Sequence, residues 1–259
     1  GRDAADELTQ DYRYGGSLSY LQAFNRLNVR LTGRVTRNDY QDAGDFDNND
    51  RDNLIYDAIL RTGFYVSPRI NLFVQGSYNI ERRDEKVDDA GIERDNEGWG
   101  ASVGSEIGIT DLLTGEFHVG YVRQSFEQAG FEDEQGVGYG VDLIWLPTRL
   151  TTVDLTGSGD FEPTTTTGAE SRFRNAAGIQ VNHELLRNVR LNGRLGYIRD
   201  DFRGTDRVDD TVRAGAGASY LINRNFSLDA GYTFTNRWSD DSDEEFTNHV
   251  IRLGVTAQL

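Results

Sequence analysis

Apolar and polar residues alternate along almost the entire 259-residue chain. In the segment from 189 to 197, Val189, Leu191 and Leu195 point to one side of an extended backbone, whereas Arg190 and Arg194 point to the other. About thirteen segments share this period of two, from 12–24 to 246–259, and no helical period competes with it. The pattern predicts an all-β protein in which every strand has two unlike faces.

A soluble β-sandwich and a transmembrane β-barrel both select this alternation, so the connections between segments have to distinguish them. Short connections alternate strictly with long ones. The short connections are 25–26, 67–69, 111, 147–148, 183–188 and 223–225. The long ones are rich in acidic residues and include "QDAGDFDNNDRD", "DEKVDDAGIERD" and "SDDSDEE". Greek-key sandwiches give no reason for such sorting, whereas outer-membrane barrels pair short periplasmic turns with long external loops.

Aromatic residues collect at the ends of the predicted strands rather than in their middles. Beside the short connections lie Tyr20, Phe24, Phe64, Tyr65, Trp145, Tyr220 and Phe226. Near the long connections lie Tyr12, Tyr14, Tyr40, Tyr56, Trp99, Phe126, Phe202 and Trp238. Two such belts are typical of the two membrane–water interfaces, although aromatic side chains also favour strands in general. We therefore predict a transmembrane antiparallel up-and-down β-barrel of the Gram-negative outer membrane.

Composition agrees with this fold class and excludes several partners. Cysteine and methionine are absent, so the chain can form neither disulfides nor a thiol site. The mean hydropathy is −0.61, and no apolar run approaches the roughly 18 residues of a transmembrane helix. Barrel strands need only one apolar face. The net charge of −16 opposes binding to nucleic acid, because phosphates would be repelled.

The N-terminal residues and the number of segments set the expected boundaries. Residues 1–11 are polar and contain no apolar core of a signal peptide. We therefore expect a polar N-terminal segment at 1–11 and a barrel over 12–259. Single-chain bacterial barrels have an even number of strands, so the odd count predicts at least one further strand upstream of Gly1, for a total of about 14 or more.

In a barrel of this kind, the apolar face of each strand contacts lipid and the polar face lines the lumen. The predicted lipid-facing residues are Val141, Leu191, Leu195 and Leu228. The predicted pore-lining residues carry both signs of charge and are Arg30, Arg34, Arg61, Glu116, Asp142, Arg190, Arg194, Arg213, Asp229 and Arg252. This lining is consistent with a hydrated pore or with a lumen plugged by salt bridges between facing walls, and the sequence leaves both open.

Two motifs resemble catalytic sites without meeting their requirements. The Gly-x-Ser-x-Gly pattern at 100–104 lies inside a predicted strand, whereas a nucleophile elbow needs a sharp strand-to-helix turn, so Ser102 is not expected to be catalytic. His183 and Glu184 begin like a zincin helix, but the second histidine is missing. We therefore expect neither an enzyme nor a cofactor.

One acidic loop resembles a divalent-cation site. Asp45, Asp47 and Asn49 have the spacing of oxygen ligands, but a calcium loop needs glycine where Asp50 stands and a closing glutamate where Tyr56 stands. These departures exclude an EF-hand. They leave a weak divalent site that could bridge anionic lipopolysaccharide, beside the alternative of a solvated, charged external loop.

Several stretches resemble one known family. "VDLIWLPTRLTTVDLTGS", "VNHELLRNVRLNGRLGY" and "NHVIRLGVTAQL" resemble the putative beta-barrel porin 2 family of Gram-negative outer-membrane proteins. The resemblance implies an integral, multi-pass barrel in the outer membrane, and some members resemble proteins of exopolysaccharide secretion.

Two functional classes follow from these observations. The expected function is a porin-like channel for small solutes or for polysaccharide export. The alternative is a structural or scaffold barrel that partners another envelope protein and has no open pore. The expected partners are outer-membrane lipid and lipopolysaccharide, together with either another envelope protein or an exopolysaccharide system, and not nucleic acid.

Overall fold

The computed structural model describes residues 11–41, 49–87, 91–128, 131, 133–164, 166, 169 and 171–257. The described residues form antiparallel strands and two short 3-10 turns, Asn49–Arg51 and Ser242–Glu244. The strands are β1 (Asp11–Phe24), β2 (Leu27–Tyr40), β3 (Asn53–Ser67), β4 (Ile70–Arg83), β5 (Asn96–Thr110), β6 (Leu113–Phe126), β7 (Glu134–Thr148), β8 (Thr151–Pro163), β9 (Ser171–Leu186), β10 (Val189–Phe202), β11 (Val208–Leu221), β12 (Phe226–Ser239) and β13 (Phe246–Ala257).

The order of the thirteen strands in the sheet is their order in the sequence. The prediction of an all-β, antiparallel up-and-down architecture is therefore confirmed. Within the described ranges, no helix has the length and apolar character needed to cross a membrane. The chain divides into two compact units, one of Gly1–Ser105 with Val119–Val137 and one of Glu106–His118 with Gly138–Leu259.

In the first unit, the strand register aligns like residues from strand to strand. Leu31 on β2 lies opposite Tyr20 on β1 and Leu60 on β3. Its neighbour Arg30 lies opposite Arg61 on β3. Because side chains alternate along each strand, this register gives the unit an apolar face, which carries Leu31 and Leu60, and a polar face, which carries Arg30 and Arg61.

The second unit repeats the arrangement over more strands. An apolar row runs across β8 to β12 through Leu155, Ile179, Leu195, Ala214 and Phe234. The adjacent polar row runs across β9 to β12 through Gln180, Arg194, Gly215 and Thr233. These rows define the apolar face and the polar face of the second unit. A register slip of one residue would exchange the two faces.

Burial in both units is the reverse of that in a water-soluble protein. On the apolar face, Leu18 is 80% exposed and Leu253 is 82% exposed. On the polar face, near the long connections, Asn96 and Asp209 are each only 1% exposed. Large apolar side chains are normally the ones removed from water, and charged ones are almost never fully buried without a partner. The apolar face therefore requires an apolar surrounding.

Two of the predicted short connections differ in the structure: one is shorter, and the other lies two residues later in the sequence. We expected a turn at 183–188, but β9 continues to Leu186 and only 187–188 form the turn. His183 is paired with Thr151 on β8 and Leu191 on β10, so it belongs to the sheet. Likewise β7 continues through 147–148, where Thr148 donates a hydrogen bond to Thr151 over 2.8 Å. Cross-strand pairing, which the sequence does not show, extends these strands.

Not every aromatic residue of the two predicted belts lies on the apolar face. Phe202 was expected at a membrane interface, but it is 4% exposed and lies opposite Arg172 on the polar face. The guanidinium carbon of Arg207 lies 4.6 Å from the centre of its ring. This geometry is that of a cation–π contact, which explains how the ring is accommodated among charged residues.

Candidate functional site on the polar face

The strand register places all ten predicted pore-lining residues on the polar face. Arg34 lies opposite Asp57 in the first unit, and Asp142 shares a row with Arg213 in the second. Glu116 has the same strand parity as His118, whose ring lies over Gly140 on that face. The four predicted lipid-facing residues lie on the apolar face. That one face lines a pore and the other meets lipid stays a prediction.

A chain of hydrogen-bonded side chains crosses the polar face of the first unit at its long-connection end. Asn38 donates to Asn53 over 2.7 Å, and Asn53 donates to Glu81 over 2.9 Å. From the other side, Gln124 donates to Asn96 over 2.5 Å, and Asn96 donates to Glu81 over 3.2 Å. The carboxylate of Glu81 thus receives an amide from each side. A chain in which each member has a partner rigidifies the sheet locally.

The amide chain is almost completely removed from solvent. Glu81 is 5% exposed, and Arg83 lies 3.4 Å from it as an ionic partner. The amide and carboxylate groups of the chain hydrogen-bond to one another, which offsets the cost of burying them. The chain links strands that are distant in sequence, and alternation alone gave no signal for it.

Ion pairs occupy the corresponding end of the second unit. Arg174 donates to both carboxylate oxygens of Asp200, over 2.6 and 2.8 Å. Arg172 donates to Glu162 over 2.7 Å. This bidentate geometry is the strong form of the arginine–carboxylate contact. These ion pairs join neighbouring strands at one end of the face, and salt bridges between facing walls of a lumen stay a prediction.

A second cluster lies beside it, around Asp209. Arg207 donates to both oxygens of Asp209, over 2.9 and 2.6 Å, and Ser239 donates to the same carboxylate over 2.6 Å. Arg237 approaches it to 3.8 Å. The hydrogen bonds to Asp209 raise the pKa of Arg207, which lies in the connection before β11. The cluster fixes the second-unit connection between β10 and β11 to the sheet.

Near the short connections, Asp229 is held by hydroxyl groups instead of by arginine. Ser219 donates to it over 2.5 Å, Thr256 over 3.0 Å and Ser227 over 3.2 Å. These donors come from three adjacent strands, β11, β12 and β13. The carboxylate is thus fixed in place by hydroxyl donors.

Ion pairs also lie on the apolar face, at the long-connection ends of the strands, beyond the apolar side chains. Arg37 contacts Asp84 over 2.5 Å and Asp52 over 3.2 Å. Arg123 contacts Asp133 over 2.6 Å. Hydrogen bonds from these arginines hold the pKa values of Asp84 and Asp133, both outside the strands, below their ordinary value. Charged pairs at this height fit a headgroup or aqueous environment.

The weaker motifs acquire structural partners. His183 lies 2.9 Å from the hydroxyl of Thr151, and Ser102 lies in the middle of β5. Asp45 and Asp47 lie outside the described residues, and Asn49 begins a 3-10 turn. Within the described ranges, no three acidic or histidine side chains are grouped to hold a metal ion. The weak divalent site therefore stays a prediction.

Comparison with known proteins agrees with this architecture. The family model described as putative beta-barrel porin 2 matches residues 2–259. A comparison with curated proteins finds no match. Among solved structures, the siderophore receptor PiuA from Acinetobacter baumannii matches with a TM-score of 0.53 and 10% identity, covering 90% of this chain and 48% of that one.

Two further structures share the fold. The FrpB iron transporter from Neisseria meningitidis (F5-1 variant) matches with a TM-score of 0.59 and 8% identity, covering 91% of this chain and 46% of that one. FpvA of P. aeruginosa, solved with bound heterologous pyoverdines, matches with a TM-score of 0.59 and 12% identity, covering 96% and 43%. The chain therefore spans about half the length of these structures. The family match indicates a porin-like outer-membrane barrel, and the solved structures share its fold.

Proposed function

Because the chain belongs to the putative beta-barrel porin 2 family, we propose that it forms the wall of an outer-membrane channel for small hydrophilic solutes or for polysaccharide export. The polar face lines the aqueous path, and the apolar face contacts lipid as an integral, multi-pass barrel. The observation that carries the proposal is the reversed burial, with Leu253 82% exposed on one face and Asp209 1% exposed on the other. Lipid is the environment that makes an exposed apolar face stable.

The proposal includes partners but no chemical step. The Arg37 and Arg123 ion pairs lie where a strand would leave the apolar layer, and lipopolysaccharide is the expected neighbour there. No catalytic activity, cofactor or nucleic acid is part of the proposal. The second candidate is a scaffold barrel without an open pore. Its supporting observation is the set of ion pairs around Asp200 and Asp209, which hold charged side chains in place on the face that would narrow a lumen.

Conductance in a planar bilayer distinguishes the two candidates. The channel predicts stable single-channel steps from the refolded protein, and the charge-neutralising variant Arg213→Gln should change their ion selectivity. The matched control is Arg199→Gln on the apolar face, which should leave selectivity unchanged. Absence of current from folded, membrane-inserted protein would support the scaffold and contradict the channel.

A further inference from the structure

Three arginines in the middle of the second unit's polar face have no acidic partner. Arg194, Arg213 and Arg252 lie on β10, β11 and β13, and all three side chains are exposed. Within the part of the chain that the structure describes, no carboxylate oxygen lies within 4.0 Å of their guanidinium nitrogens. Arg174, nearer the long connections, is paired with both Glu162 and Asp200.

Glycine makes room for these side chains. The side chain of Arg194 lies across Gly215, the residue opposite it on β11, and donates to the hydroxyl of Thr233 on β12 over 2.8 Å. A Cβ atom at Gly215 would lie 2.7 Å from Nε of Arg194, so a larger residue there would displace it. Gly231 and Gly254 line the same depression as Arg194, and a Cβ atom at Gly254 would meet nothing within 4 Å.

Two adjoining depressions result on this surface. One of about 670 Å³ is lined by Arg194, Arg252, Asn192, Asp229 and Thr233, by glycine and alanine, and by Tyr232, Ile251 and Leu253. The other, of about 350 Å³, is lined by Arg194 and Arg213, by the polar residues Asp154, Thr156 and Gln180, and by Ile179, Leu195 and two glycines. Both volumes lie in the range of small-molecule sites, and Arg194 belongs to both.

The charged groups around the depressions leave a positive balance. Three arginines face two aspartates, Asp154 and Asp229. Asp229 already accepts three hydroxyl groups, and Asn182 lies 3.5 Å from Asp154. Arg190, on the same face of β10, reaches Glu184 only at 4.0 Å. Apart from the hydrogen bond from Arg194 to Thr233, the guanidinium groups therefore have donors available for a ligand, and the amide and hydroxyl groups beside them suit neutral polar atoms.

We propose that these two depressions form one binding site for an anionic, polyhydroxylated solute, such as a carboxylated sugar. The guanidinium groups of Arg194, Arg213 and Arg252 bind the carboxylate, and Asn192, Thr233 and Asp229 bind hydroxyl groups. Guanidinium is the side chain that suits planar carboxylates best. The inference rests on the proposed function in one respect, namely that the polar face is reached by aqueous solutes.

Calorimetric titration of the detergent-folded protein with sodium glucuronate, and separately with glucose, tests the site. We expect glucuronate to bind more tightly than glucose, because only glucuronate carries the carboxylate. The combined variant R194Q/R213Q/R252Q should weaken glucuronate binding by about tenfold or more, since hydrogen bonds to a charged group are being lost. Arg199→Gln, the same change on the apolar face of β10, should leave the affinity unchanged.

Gly215→Ala provides an independent variant that keeps every charge. It should weaken glucuronate binding by displacing Arg194, with the strand content by circular dichroism serving as the control for folding. Equal binding of glucuronate and glucose, no glucuronate binding by the folded wild type, or full binding by the combined variant would each overturn the site. The titration does not require conduction, so a protein that binds glucuronate but passes no current would contradict the channel and retain the site.

Discussion

The arginines of the second unit's polar face differ between the ends of the strands and their middles. Toward the long connections, Arg174 and Arg207 each make bidentate contacts with a buried aspartate. In the middle, Arg194 and Arg213 lie over glycine and small residues with no described carboxylate within 4.0 Å. The same residue type thus holds connections in place at one height and offers free donors at another.

This difference shows that arginines on the polar face have two distinct roles, which depend on whether a carboxylate lies beside them. A paired arginine contributes to the folded state through a defined partner, and removing that partner leaves a buried charge uncompensated. An exposed arginine without an acidic partner contributes little to the free energy of unfolding, and its charge is available to bind a solute. Stability and function should therefore separate by position along the strand.

An arginine introduced on the apolar face should cause the largest loss of stability, because neither a carboxylate nor water would surround it there. Leu195→Arg should lower the free energy of unfolding by about 2–4 kcal/mol, the cost of arginine near the bilayer midplane. Urea titration of the protein folded into liposomes measures this. Leu191→Arg and Leu228→Arg should behave alike. The neighbouring change Arg194→Leu is the control and should alter conductance more than stability; equal losses on the two faces would refute the orientation.

Removing the shared acid at the long-connection end should have the next largest effect. Asp209→Asn takes the negative charge away from Arg207 and Arg237, and we expect a loss of about 1–3 kcal/mol in the same titration. The matched change in the middle, Arg213→Gln, should stay within about 0.5 kcal/mol. If Arg213→Gln proved as costly as Asp209→Asn, the distinction between the two regions would be wrong.

Acid should produce the smallest effect, through Asp84 and Asp133. Their pKa values are lowered by Arg37 and Arg123, so the stabilisation is present above the ordinary aspartate pKa and is lost as pH falls below about 4. The pairs are exposed, so the loss should be only a few tenths of a kcal/mol each. The urea midpoint of the wild type should fall with pH, and Asp84→Asn should reduce that dependence; an unchanged dependence would contradict the role of this pair.

Much of the fold could be predicted from the sequence, because one short-range pattern determines it. A period of two fixes which residues share a face within a strand, and regular spacing of connections fixes the up-and-down order. The placement of Leu191 opposite Ala218 and of Arg194 opposite Gly215 then follows once neighbouring strands pair. The prediction of thirteen strands is confirmed on this basis.

The remainder depends on contacts between strands and could not be predicted. Arg37 contacts Asp84, which lies 47 residues away in sequence, and the amide chain through Glu81 needs the registers of several strands at once. The end of β9 at Leu186 also depends on cross-strand partners, whereas the position of Phe202 on the polar face follows from the same period of two that places Arg190 and Arg194 there. For the same reason, the sequence could not predict that Arg194 and Arg213 lack an acidic partner, because it does not show which carboxylates lie near them.

Cysteine accessibility along β10 tests the central account most directly, because the chain contains no native cysteine. Single cysteines would replace residues 190 to 195 in turn in the protein folded into liposomes, and each would be reacted with a water-soluble, membrane-impermeant thiol reagent. The account predicts fast labelling at Arg190, Asn192 and Arg194 and slow labelling at Leu191 and Leu195. Uniform labelling along the strand, or fast labelling of the two leucines alone, would contradict a polar face that lines water and an apolar face that meets lipid.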